Sequence, residues 1–387
     1  FGPRTPSLEL HPLNVLIGPN GSGKSNVFEA IWLLHSTPRD LAAAVLQPDD
    51  RVSEWVWKGS PEPAAASIEV VVEIDRVKSP LRYLLRFAER GQGFEIVEES
   101  LKTARPTRPD EQHPYIFFEV KDGRGVLNVR TEEGAQGAER KKRSLRPEDL
   151  EPGQSVLSQR KDPDHYPEIT TLAQLFSNFR LYREWSFGRR APPRVPQKTD
   201  LLGDFLAEDG HNLALVLNKL KRHGDVYRSI VKHLQDFYEQ LEGIDTIVES
   251  GKLQVFFYER GLRTPLPATR LSDGTLRFLF LLTVLCHPKP PPLICLEEPE
   301  IGLHPDVLPK IADLLVEASH RTQLIVTTHS DILVDALSDR PESIVVCEWS
   351  PEGTTMLRLD QKRLKGWLEE YRLGELWRKG ELGGTRW

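Results

Sequence analysis

The sequence has little of what would place it in several large protein classes. Only three of its 387 residues are cysteines, Cys286, Cys295 and Cys347, an odd count with no CxxC spacing. All three sit in apolar runs, so they read as buried thiols rather than metal ligands or a disulfide framework. A reducing cytoplasm is the setting this favours. Long hydrophobic runs are missing as well. The longest, residues 278–286, falls far short of the ~20 residues that span a bilayer, and no signal peptide is visible, so a membrane is not an expected partner. Internal repeats and extended heptads are absent, which argues against a solenoid or a long coiled coil. Excess basic charge is lacking too. The formal net charge of −6 excludes a chain that coats nucleic acid over its whole surface, while leaving room for a local basic face.

The remaining composition is that of an ordinary folded protein, with 39% hydrophobic and 28% charged residues. The length suits one large α/β unit carrying an insertion, or two domains. The 30 prolines gather in connectors such as Pro192-Pro193 and residues 288–292. The sequence opens at Phe1 rather than Met, just ahead of an apolar strand pattern, and further residues upstream, including an edge strand, are expected.

Periodicity outlines the elements. Residues 13–17 read as a buried strand and 25–34 as a helix, with a glycine-rich loop between them. Runs 67–74, 81–87, 94–100 and 115–120 are separated by Gly, Pro or charged turns, the pattern of an antiparallel meander. Residues 131–154 are polar and are expected to form an exposed loop or hairpin tip. Helical patterns follow at 170–179, 211–222 and 225–241, with a Pro- and Arg-rich connector at 187–198. Strand character resumes at 253–258, a helix begins near Gly274, and 293–296, 307–319 and 324–328 read as strand, helix, strand. The tail from residue 361 is amphipathic and charged.

Four segments carry chemistry. GPNGSGKS, Gly18 to Ser25, matches G-x-x-x-x-G-K-[ST] and lies between a strand and a helix, the context this motif needs. Gly18, Gly21 and Gly23 let the loop curl, with Pro19, Asn20, Ser22 and the following Asn26 completing a cradle whose backbone N–H groups face phosphate oxygens. Lys24 is expected on the β- and γ-phosphates of ATP and the Ser25 hydroxyl on Mg2+. In PLICLEEPE, an apolar strand ends in Glu297 and Glu298, which puts both acids at the carboxyl edge of an α/β sheet. Glu297 is the candidate to hold Mg2+, through water, and Glu298 to orient or deprotonate the attacking water. LIVTTHS ends a further buried strand in His329, where a γ-phosphate sensor would lie. LSDGTLR, residues 271–277, opens a helix with Ser272 and Gly274, a second potential anion site.

In chain order, GPNGSGKSN, LSDGTLR, LEEPEIGLHP and TTHS resemble the ABC-type ATPase heads of the SMC, RecF and OLD-like group, and above all the stand-alone bacterial heads called AAA family ATPases. The resemblance covers both ends of the chain and about half of it. It implies a P-loop α/β head of ABC-ATPase type, with an antiparallel β meander in the N-terminal lobe and a mostly helical insertion. It implies ATP hydrolysis to ADP and phosphate, and an ATP-dependent homodimer in which Ser272, Asp273 and Gly274 of one protomer cap the nucleotide of the other. Asp273 departs from the group's usual glycine, and Thr275 from its common glutamine. Gln159, after a strand-like 155–157, is the candidate Q-loop glutamine. No D-loop aspartate is apparent, His304 falling near its place.

The expected division is an N-terminal lobe at residues 1–130, the insertion at 131–244 and a C-terminal lobe at 245–387. Two readings of the basic cluster 139–146 and of Arg180, Arg183, Arg189, Arg190 and Arg194, interleaved with Tyr182, Trp185 and Phe187, stay open. They contact DNA phosphates, or they are a solvated, salt-bridged surface. The tail 373–384 either packs on the head or docks a partner. At this level the expected role is an ATPase whose dimerisation controls a DNA-linked process, repair or phage defence. The alternative is an ATP-gated scaffold for a separately encoded nuclease or toxin effector. A transport ATPase fits less well, because of the long insertion and the EEPE strand.

Overall fold

The computed structural model describes residues 7–46, 51–59, 65–74, 77, 79–91, 93–106, 113–130, 140–200 and 203–384. Two compact units divide the chain. One is built on Asn26–Phe179, the other on Thr5–Ser25 together with Arg180–Trp387. Strand β1 (Leu13–Ile17) belongs to the second unit, and helix α1 (Lys24–Ser36) begins there and runs on into the first.

The first unit continues with a short helix α2 (Leu41–Val45), capped by the Asp40 carboxylate on the Ala43 N–H. An antiparallel meander follows in simple sequence order: β2 (Ala66–Val72), β3 (Leu81–Arg90), β4 (Gly93–Thr103), β5 (Ile116–Lys121), β6 (Arg124–Arg130) and β7 (Arg140–Leu145). Alternate residues of β3 are buried, the signature of a sheet with one covered face. Asp122 and Gly123 both take positive φ between β5 and β6, the turn that a two-residue hairpin loop requires. Two helices complete the unit, α3 (Val156–Gln159) and α4 (Pro167–Ser177). Tyr83 from β3 packs edge-on against Phe176 of α4 at 5.6 Å. Its hydroxyl donates to the buried Glu99 carboxylate, which also accepts from the Ser155 hydroxyl and the Val156 N–H.

The second unit resumes with β8 (Arg180–Tyr182) and the short β9 (Gln197–Lys198). Helices α5 (Leu213–Leu220) and α6 (Gly224–Phe237) precede a small antiparallel sheet of β10 (Leu241–Glu249), β11 (Lys252–Glu259) and β12 (Leu266–Pro267), with β9 also paired to β11. Then come α7 (Asp273–Leu285), β13 (Leu293–Glu297), α8 (Leu308–Ser319), β14 (Gln323–Thr327), α9 (Asp331–Ala336), the antiparallel pair β15 (Ile344–Ser350) and β16 (Gly353–Arg358), and the tail helices α10 (Gln361–Leu368) and α11 (Leu373–Arg378).

The main sheet runs β16-β15-β1-β14-β13-β8, parallel except for β16. All five residues of β1 are buried, as a central parallel strand demands. Its one polar member is fully satisfied. The Asn14 amide donates to His11 O and Leu324 O and accepts from the His11 N–H and the Arg358 guanidinium. One continuous core joins β1, α5, α7, α8, β13, β14 and α11.

The meander and the αβ order match the sequence reading, but several details differ. Residues 131–139 of the expected polar loop lie outside the described residues, while 140–145 form β7, held by β6. Residues 155–157 are not strand-like; Ser155 caps the helical turn α3 through the Leu157 N–H. The compact units part at 25/26 and 179/180 rather than at 130 and 244. The reason is pairing: β7 closes the meander, whereas β8 joins the main sheet beside β13. Segment 131–244 thus contributes to both units, and its helices are joined by β7, β8 and β9.

Candidate nucleotide site

The site forms where the chain leaves β1. Gly18, Gly21 and Gly23 all have positive φ, the backbone form that lets successive N–H groups turn inward. Two of them also have no room for a side chain. A Cβ on Gly18 would lie 2.2 Å from Cys347 O, and one on Gly23 would lie 2.3 Å from the Thr354 hydroxyl. The loop is therefore wedged against the β15–β16 pair. Lys24, only 6% exposed, donates from Nζ to Gly18 O at 2.7 Å and Pro19 O at 3.0 Å. Burial lowers its pKa, opposed by Cys347, Glu298 and Glu297. The buried Ser22 hydroxyl has no hydrogen-bond partner among the described residues, a free polar group at the floor of the loop.

Ser25 and Glu297, 272 positions apart, meet: the Ser25 hydroxyl donates to Glu297 Oε1 at 3.2 Å. The sheet order explains it, since β14 alone separates β1 from β13. The other carboxylate oxygen of Glu297 takes the Arg183 guanidinium at 3.3 Å, and its carbonyl accepts from the Trp185 indole. One hydroxyl and one carboxylate, both hard oxygen donors, suit a Mg2+ that keeps most of its waters. The curled loop, the unpartnered Ser22 hydroxyl and this donor pair fit a magnesium-bound phosphate group.

Glu298 holds a left-handed backbone, φ +46°, uncommon for a residue with a side chain and a form of strain found at functional sites. Its N–H donates to Thr327 O at 3.0 Å, which ties the turn to β14. His329 Nε2 lies 3.5 Å from Glu298 Oε1. Burial, then the Lys24 cation, lower the His329 pKa, and Glu298 and Glu300 oppose them. Glu300 Oε1 accepts from the Thr328 hydroxyl at 2.6 Å and the His329 N–H at 3.0 Å, so this third acid fixes the loop that carries the histidine.

Ser272 caps α7, its hydroxyl accepting from the Thr275 N–H at 3.0 Å. At Gly274 a Cβ would come 3.1 Å from Gly302 O, so the helix start approaches the turn after β13 closely. Asp273 pairs with Arg194. That arginine is 4% exposed and donates to Phe187 O, Ala268 O and Leu271 O as well. Arg277 lies over the rings of Trp185 and Phe187 at 5.0 and 5.4 Å.

The structure thus gathers Gly18 to Ser25, Glu297, Glu298 and His329 in the second unit. Ser272, Asp273 and Gly274 belong to the same unit, at the start of α7. Gln159 is in the first unit, where its side-chain oxygen accepts from the Glu151 N–H and its amide donates to Gln154 O. Of the arginines in the two open readings, Arg183 is half-buried against Glu297 and Arg194 is buried beneath the helix start. Tyr182 and Phe187 are likewise buried. Sequence reasoning missed the supporting roles of Glu300, Arg183, Arg194 and Arg277. Only Glu300 had a local signal, as the last acid of EEPE.

A P-loop head of the ABC-ATPase kind is the class that this sheet and site define. The chain belongs to the family described as "AAA domain, putative AbiEii toxin, Type IV TA system", whose pattern matches residues 13–335. Its fold is similar to that of an SMC head solved with the C-terminal winged-helix domain of ScpA, at TM-score 0.51 and 16% identity, over 93% of this chain and 94% of that one. An SMC head from Thermotoga maritima aligns over 91% of this chain and 92% of its own, at 15% identity and TM-score 0.37. No curated protein matches the sequence at a significant level. At these identities the likeness concerns the fold.

Proposed function

We propose that this protein binds Mg-ATP in the loop Gly18 to Asn26 and hydrolyses it, and that ATP joins two copies of the chain. The observation that carries the reading is the Ser25–Glu297 contact, set beside the Glu298–His329 pair. In this reading Ser25 and, through water, Glu297 would hold Mg2+, whose charge would offset that of the phosphates. Lys24 steadies the terminal phosphates. Glu298 accepts a hydrogen bond from the attacking water and orients it, and His329 senses the terminal phosphate. Catalysis of this kind is mostly positioning and electrostatics, which suits a carboxylate fixed by a constrained backbone. Ser272, Asp273 and Gly274 would cap the nucleotide of the second protomer.

The test separates binding from turnover. Lys24→Ala should weaken Mg-ATP binding about tenfold or more, and Glu298→Gln should keep binding while losing turnover about 100-fold or more. With ATP, the Glu298 variant should accumulate as a dimer in light scattering. Normal turnover by that variant would overturn the mechanism.

As to biological role, the reading of a DNA-linked process, repair or phage defence, keeps only the basic residues that are not committed internally. The engagement of Arg183 and Arg194 favours the second reading, an ATP-gated scaffold for a separately encoded effector, and the toxin–antitoxin wording of the family description points the same way. Turnover stimulated by DNA in the purified protein would support the first. ATP-dependent capture of the product of an adjacent gene would support the second.

A further inference from the structure

The geometry points to Trp349 as the platform on which the base of the bound nucleotide stacks. This rests on the nucleotide reading of the loop and concerns the end of the ligand that no motif addresses. The metal-binding and water-orienting acids lie on one side of β1, across β14 at the end of β13. A triphosphate seated in the loop with its terminal phosphate toward Glu297 and Glu298 must send its nucleoside the other way, toward β15.

On that side β15 pairs with β1 through Val15↔Ile344, Leu16↔Val345 and Ile17↔Val346. It then continues past the carboxyl edge of the sheet with Cys347, Glu348 and Trp349, alongside the loop. Cys347 O would clash with a Cβ on Gly18, so the two backbones touch. Trp349 is paired across the hairpin with Thr354. Directly paired residues point their side chains to the same face, about 5 Å apart. Thr354 is the residue whose hydroxyl leaves no room for a Cβ at Gly23, so the Trp349 side chain springs from the face of the hairpin that touches the loop. The indole nevertheless stands 64% exposed. A large aromatic left open beside a phosphate cradle, and anchored by a strand, is well placed to take one face of a flat ring. Such stacking accepts any base, since each presents a π face. The platform would therefore add affinity without choosing adenine over guanine.

Calorimetry on the full chain with Mg-ATP, Mg-GTP and inorganic tripolyphosphate tests this. Trp349→Ala should weaken both nucleotides by about tenfold or more and leave tripolyphosphate binding unchanged, while Trp349→Phe restores most of the loss. Leu357→Ala alters a residue of the same hairpin that is paired with Val346, on the opposite face, and is also exposed. It should change nothing. Unaltered nucleotide affinity in Trp349→Ala overturns the inference, and so does an equal loss for tripolyphosphate, which would mean that the hairpin acts on the loop rather than on the base. If the unmodified protein binds tripolyphosphate but gains nothing from the nucleoside, the platform fails and the phosphate site stands. Should it bind none of the three, the nucleotide reading itself falls.

Discussion

At the scale of single residues the site depends on which atoms are already committed. His329 is the clearest case, because its ring faces a carboxylate while its surroundings disfavour a proton. Burial and the Lys24 cation outweigh Glu298 and Glu300, and the pKa falls below the ordinary histidine value. The imidazole therefore takes a proton less readily than an ordinary histidine. Turnover should decline on the acid side of the ordinary histidine value, about 6.5, and His329→Gln should remove that acid limb from the pH–rate profile. The linkage has the same sign. The folded state binds this proton less tightly than the unfolded one, so stability from this group falls as pH decreases below the unfolded value. A limb that starts above pH 7 would contradict the assignment.

Between residues and the whole lies the element, and here α7 shows how a polar segment is built from beneath. Ser272 supplies the cap, and a cap lost to alanine costs about 1 kcal/mol. Arg194 supplies more, since one buried guanidinium gathers the carbonyls of Phe187, Ala268 and Leu271 and the carboxylate of Asp273. Arg194→Ala should cost about 2–4 kcal/mol, because it strands buried carbonyls. Arg194→Lys should recover only part of that, since an ammonium cannot span the fork. Chemical denaturation of the purified variants checks both values, and an unchanged midpoint for Arg194→Ala would refute this account.

Elements also show what could be read from the letters alone. The P-loop, the acidic strand and the histidine strand were legible because each joins a local motif to a short apolar run, the pattern that a buried parallel strand shows. β6 escaped notice because its sequence RGVLNVR alternates weakly, although the Asp122-Gly123 turn before it was a fair hairpin signal. The stretch RKKRSL read as part of an exposed loop or hairpin tip, and cross-strand pairing to β6 makes it the strand β7. Short apolar patterns such as 155–157 do not separate strand from helix, and the Ser155 cap decided that one. The partners of Glu297 and Glu298 lie far away in sequence, and no local period announces an arginine that will be buried under a helix start.

For the molecule as a whole, the tail settles as part of the head rather than a free appendage. Leu373, Leu376, Trp377 and Leu382 are buried in the core of the second unit. The Trp377 indole donates to Gly384 O, while the Gly384 N–H donates to Glu348 and a Cβ on Gly384 would lie 3.4 Å from the Gly18 Cα. The end of the described chain thus backs the phosphate loop near its start. Trp377→Ala should cost about 3–5 kcal/mol of local packing. Faster hydrogen exchange over residues 373–384, with weaker Mg-ATP binding, would report it. Exchange rates equal to those of the unmodified protein would show that the indole does not hold the tail.

The placement of β1 has a consequence for how the protein comes into being. Both flanking strands of β1, β14 and β15, are encoded more than 300 positions later, and the acid beside Ser25 is encoded almost as late. During synthesis the glycine loop emerges long before the strands that flank it and must wait, unsupported, until they follow. A chain truncated by a premature stop would carry an intact Gly18 to Ser25 motif and remain blind to ATP. Nucleotide uptake then reports that the ribosome has passed β15.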